Sequence, residues 1–92
     1  MRYRSLVARY LADIQTSDEW GRGVVDMLRR SLLISGTGEP DRLVDVAAAV
    51  ISAERSRRRM GGDKAGYDRL LRLEHKVAAA RRRALTVGGS DG

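Results

Sequence analysis

Apolar side chains return every three or four positions along most of this chain, and nowhere do they alternate with polar ones as a strand requires. Tyr3, Leu6, Val7, Tyr10, Leu11 and Ile14 trace one face of a helix over residues 3 to 15. Thr16, with Glu19 three positions on, reads as a capping box that opens a second helix over residues 17 to 35. Its stripe is Trp20, Val24, Met27, Leu28 and Ser31, with Arg22, Asp26, Arg29 and Arg30 opposite. Gly21 and Gly23 each cost about 1 kcal/mol relative to alanine inside a helix, so the first turn is its weakest part.

A breaker cluster from Ser35 to Pro40 follows, and Pro40 suits the first position of a third helix, where a missing N–H is not needed. Between residues 43 and 53 only Asp45 and Ser52 are polar, so this helix is apolar around most of its circumference. Such a helix is expected at the centre of a bundle. Val50 then belongs to the core, and an aspartate there is expected to unfold the domain. The helix runs over residues 40 to 60 and stops at Gly61 and Gly62.

Asp63 is placed to cap a fourth helix over residues 63 to 86, in which Leu70, Leu73, Val77, Ala80 and Ala84 keep alternating steps of three and four. The predicted fold is all-α, a small bundle of about four helices with helix three central. Residues 1 to 87 form one domain and 88 to 92 a flexible polar tail. The small side chains of Ala80 and Ala84 would also let helix four meet a second copy, so a homodimer through helix four is a further expectation.

Composition narrows the class. Ninety-two residues support one modest core, with little room for a deep substrate pocket. There is no cysteine, hence no disulfide, thiolate metal site or redox switch, and the cytoplasm is the natural compartment. The longest apolar run is too short to span a bilayer. The basic N-terminus is interrupted by Arg9 and reads as a folded helix rather than an export signal. Net charge is +6, and it is uneven: residues 1 to 40 hold six Arg against five acids, residues 41 to 92 twelve Lys or Arg against seven acids.

Catalysis finds little support. His75, the one histidine, shares its side of helix four with Arg72, Lys76 and Ala79 and has no cysteine or second histidine to join. Asp18, Glu19, Asp41 and Asp63 stand at helix starts, and Asp26 and Glu54 stand near arginines, which are structural places. A nuclease reading of Pro40-Asp41 with Glu54 fails, because Ser56 stands where lysine is required and no strand carries the motif. Neither Gly36-Thr37-Gly38 nor Gly21-Arg22-Gly23 continues into a phosphate-binding Lys-Ser pair. No catalytic residue, cofactor or metal is expected.

Basic clusters remain. Arg55, Arg57, Arg58 and Arg59 close helix three, and Arg81, Arg82 and Arg83 close helix four, at opposite ends of an antiparallel hairpin about 30 Å apart. Each is a candidate for partner binding, since arginine pairs with phosphate or carboxylate, while dipole complementation and solubility account for part of the pattern. A helix-turn-helix for base reading is absent, and Tyr3, Tyr10, Trp20 and Tyr67 all fall on apolar stripes rather than where bases would stack. The expected function is therefore a non-catalytic, basic helical protein that docks on a protein or nucleoprotein machine and adapts or inhibits it by occupancy. Small accessory proteins of phages and mobile elements, anti-CRISPR inhibitors among them, exemplify that class. Direct, largely sequence-independent binding of DNA or RNA is the alternative.

Overall fold

The computed structural model describes residues 2–34 and 38–90, the last three by backbone alone. Four helices follow one another: α1 (Tyr3–Ala12), α2 (Glu19–Leu33), α3 (Pro40–Met60) and α4 (Lys64–Ser90). α1 packs on α2 and α4, and α3 packs on the same two, so the helices stand at the corners of a square and α1 meets α3 across the diagonal. The fold is an all-α bundle, as the periodicity predicts. Its core joins Leu6, Val7 and Leu11 to Val25, Leu28, Leu32, Val44, Ile51 and the whole α4 stripe.

The helix ends follow local chemistry. Pro40 occupies the first turn of α3, and the Asp63 carboxylate accepts from the Gly66 N–H at 2.9 Å to cap α4. Between them the chain reverses at Gly62, whose φ of +82° lies where a side chain is strained. α1 is shorter than expected: Asp13 and Ile14 donate to Tyr10 and Leu11 in tight three-residue turns that end it at Ala12, while Ile14 still packs on the core.

α2 begins two residues later than the capping box implies. Thr16 does not cap the helix; its hydroxyl accepts from the Asp18 N–H at 3.2 Å, and the Asp18 carboxylate accepts from the Gly21 N–H at 2.8 Å. Asp18 wins because its charge is also held by Arg58 and Arg69, which a neutral threonine cannot attract. Gly21 is required just here: a Cβ on it would stand 2.7 Å from Leu73 Cδ2 of α4.

The position of α3 corrects two expectations. It touches all three other helices, yet it is buried along one side only, through Val44, Ala47 and Ile51. Val46 and Val50 are 55% and 44% exposed, so Val50 is not a core residue. The reason lies in the square arrangement, which gives each helix neighbours on two sides and solvent on the other two. The most continuous burial belongs to α4, where Leu70, Leu73, Val77, Ala80 and Ala84 are all inside. That burial removes the surface expected to form a homodimer through helix four, because the monomer already uses the stripe. The α4 backbone also continues past the expected start of the tail to Ser90; Asp91 and Gly92 lie outside the described residues, as do Ser35, Gly36 and Thr37 of the breaker cluster.

Candidate functional site

The seven arginines singled out by the sequence divide between structural and exposed places. Arg58 is spent on the fold: its side chain, 15% exposed, pairs with buried Asp18 and with Glu54, and its guanidinium carbon lies 5.8 Å from the centre of the Trp20 ring. Arg55 pairs with Glu74, donates to the Tyr67 hydroxyl at 3.1 Å and lies over the same ring. Arg81 pairs with Asp45 at 2.7 Å and ties α4 to α3. Arg57 is exposed but held against Glu54 at 2.7 Å, and exposed Arg59 lies 5.7 Å from the Tyr67 ring centre. Arg82 is exposed, and Arg83 stacks 4.3 Å from the Tyr10 ring centre.

The two clusters stay apart, though by less than expected. Arg81 lies level with Asp45, twelve residues before Arg57, which is about 18 Å along α3 at 1.5 Å per residue. The hub around Asp18, at the Arg58 end, has an electrostatic signature. Hydrogen bonding from Arg58, reinforced by the Gly21 N–H and Arg69 and opposed by burial, holds the Asp18 carboxyl down at about 2. Arg58 and then Arg57 likewise lower Glu54. At the other end burial, with a hydrogen bond to Asp41, pushes the Tyr3 hydroxyl up to about 12.

Two surfaces emerge that the arginine clusters do not define. The first is a shallow cleft of about 200 Å³ between α2 and α3, lined by Val24, Met27, Leu28, Ser31, Leu43, Val46, Ala47 and Val50. Met27 is 69% exposed at its edge. On the α3 side the apolar surface widens through exposed Ala49 and Ala53. Exposed arginines flank it: Arg42 one turn before Val46, Arg57 one turn after Ala53, and Arg30 on α2.

The second lies across the bundle, between α4 on one side and α1 with its link to α2 on the other. Arg69, Arg72, Lys76 and Arg83 of α4 face this groove, joined by Tyr10, Gln15, Thr16 and Ser17. Lys76 donates to the Gln15 carbonyl at 2.6 Å, and Arg69 reaches Asp18 at 3.3 Å beneath the link. Asp13 is the one acid lining it among the described residues.

Sequence reasoning missed both. The basic face was present as a pattern: positions 69, 72, 76 and 83 repeat the core stripe 70, 73, 77 and 84 one residue earlier, which is a rotation of about 100° around α4. The apolar cleft was hidden because Val46 and Val50 fit equally well into a core.

No protein-family model, curated protein or solved structure matches this chain. Among the described residues there is no cluster of three metal-ligating side chains and no helix long and apolar enough to cross a membrane.

Proposed function

We propose that this protein is a non-catalytic docking protein that acts by occupancy, gripping a protein component of a larger assembly in the α2/α3 cleft. The observation that carries this reading is the exposure of Met27, Val46 and Val50 together on one face. Single exposed apolar residues are ordinary, but a contiguous patch rimmed by charge is the usual mark of a binding surface.

The occupant we infer is an amphipathic helix with acidic flanks, laid into the cleft by its apolar side. Charge decides against a second copy. A two-fold antiparallel pairing of α3 about positions 49 and 50 sets Arg42 of one copy opposite Arg57 of the other, since 42 and 57 are equally far from that centre. A parallel pairing sets each arginine against itself. Like charges facing one another oppose either arrangement, whereas carboxylates on a partner helix match Arg42 and add to Asp26 and Glu54 on Arg30 and Arg57.

Inhibition or adaptation of a nucleic-acid-handling machine is the role that joins this cleft to the basic character of the chain. Photo-crosslinkers at Val46 and Val50, used in cells that carry the protein, test the reading. The expected result is an adduct mapping to an acid-flanked helix of one protein and lost in Met27→Glu. Sedimentation at tens of micromolar complements it. A single species near the 10.2 kDa monomer mass is expected, and a dimer abolished by Val50→Asp would hand the cleft to a second copy and overturn the proposal.

A further inference from the structure

The basic groove between α1 and α4 is separate from the proposed docking cleft and lies on the other side of the bundle, because α1 and α4 are the two helices that do not line that cleft. We propose that this groove binds the phosphate backbone of nucleic acid, independent of sequence, through Arg72, Lys76 and Arg83, with Arg69 as a positioning residue.

The geometry of α4 is the first support. Positions 72, 76, 79 and 83 fall on one face, so three cations span about 16 Å in a row parallel to the helix axis. Ala79 leaves the middle of the row low, Glu74 turns away to Arg55 of α3, and Asp68, one turn before Arg72, pairs with Lys64 at 3.7 Å. A row of cations at this spacing meets successive phosphates along one strand. A compact anion site would instead gather its cations around a single point.

Three of the side chains are also held in place, each by a contact that leaves donors over. Arg83 is spread over the Tyr10 ring, which orients a planar guanidinium without consuming its N–H groups. Lys76 uses one of three N–H donors on the Gln15 carbonyl. Arg69 is anchored to Asp18 at the end of the groove, where it keeps the α1–α2 link against α4. Arg72 stands exposed between Arg69 and Lys76, beside the side chains of Thr16 and Ser17, whose hydroxyls are further donors to phosphate oxygens.

A membrane surface fits this face poorly. Interfacial binding needs apolar side chains to enter the headgroup boundary. Here Met27, Val46 and Val50 lie exposed on the α2/α3 side and Leu85 and Val87 at the end of α4 past Arg83, while the groove itself offers only half-buried Tyr10 and Ile14 and exposed Ala79. A polymer of phosphates needs no apolar partner, because counterion release supplies the driving force.

Fluorescence anisotropy with a random-sequence duplex across a salt series tests the proposal. With three phosphates engaged, affinity is expected to fall about 40-fold between about 50 and 200 mM salt, linearly in log salt. Arg72→Gln combined with Lys76→Gln and Arg83→Gln should weaken binding at least about tenfold and flatten that slope. Arg22→Gln with Arg42→Gln and Arg57→Gln removes the same charge from other faces and should cost less than about threefold. Arg72→Glu alone reverses one charge on an exposed side chain that forms no hydrogen bond or ion pair among the described residues, and weaker binding with an unchanged thermal melt is expected. Equal losses in the two triple variants would reduce the groove to bulk charge. No binding at the lowest salt, or binding to anionic vesicles in place of the duplex, would overturn the proposal.

Discussion

Asp18 and Arg58, forty positions apart, form the ion pair that closes the bundle: the carboxylate of the α2 cap accepts from the guanidinium at the end of α3 with almost no exposure to solvent. The same carboxylate accepts from Arg69 of α4, so three helices meet at one anion. A carboxylate with so many donors is stabilised in its charged form, and that makes folding pH-dependent.

Asp18 is held at about 2 in the folded chain against its ordinary 3.8. A depressed carboxyl contributes stability that is complete above its unfolded value and is lost as pH falls through the folded one. The contribution is about 2 kcal/mol. Asp18→Asn should therefore be less stable than the parent by about that amount near neutral pH in urea unfolding, and the gap should shrink between about pH 4 and pH 2. A gap that stays constant through this window would show that the hub acts through packing rather than charge.

Arg58 should behave differently from its neighbours. Truncating Arg58 leaves the buried Asp18 charge with only Arg69 and the Gly21 N–H, at a cost of up to about 3 kcal/mol, whereas exposed pairs contribute well under about 1 kcal/mol. Arg58→Ala is thus expected to lower the unfolding midpoint sharply, and Arg57→Ala with Arg59→Ala to leave it nearly unchanged. Thermal melts followed by circular dichroism separate the two.

Adjacent positions on α3 should give opposite outcomes. Ile51 is fully buried and Val50 is 44% exposed. Ile51→Asp places an unpaired charge in the core and should abolish the cooperative helical melt. Val50→Asp should fold, losing about 1 kcal/mol or less, and should lose the partner of the α2/α3 cleft. An unfolded Val50→Asp protein would mean that the cleft is closed by the bundle itself.

The two glycines of α2 should also part company. A Cβ at Gly21 collides with Leu73, while one at Gly23 meets nothing within 4 Å. Gly23→Ala is expected to stabilise by up to about 1 kcal/mol through helix propensity, and Gly21→Ala to destabilise despite the same gain. Equilibrium denaturation of the two single variants checks both signs at once.

Local features follow from neighbouring residues alone. Four helices, the first position of α3 at Pro40, the Asp63 cap and the glycine turn at 61 and 62 all arise from residues within a turn or two of one another. Their signals are the apolar repeat, the capping acceptor and the missing N–H. Even the core stripe of α4 was legible, because Leu70 to Ala84 has only one apolar side to offer.

Features that depend on direction or distance were set by packing between the helices. An apolar helix such as α3 has no preferred side, so only packing against α2 and α4 chose Ile51 for the core and left Val50 outside. The cap of α2 moved from Thr16 to Asp18 because Arg58 and Arg69 arrive from other helices. The same pairing drew Arg58 out of a cluster that reads as exposed. Arg72, Lys76 and Arg83 instead stay exposed along one side of α4, since a residue's charge is written in the sequence but its partner is set by the fold.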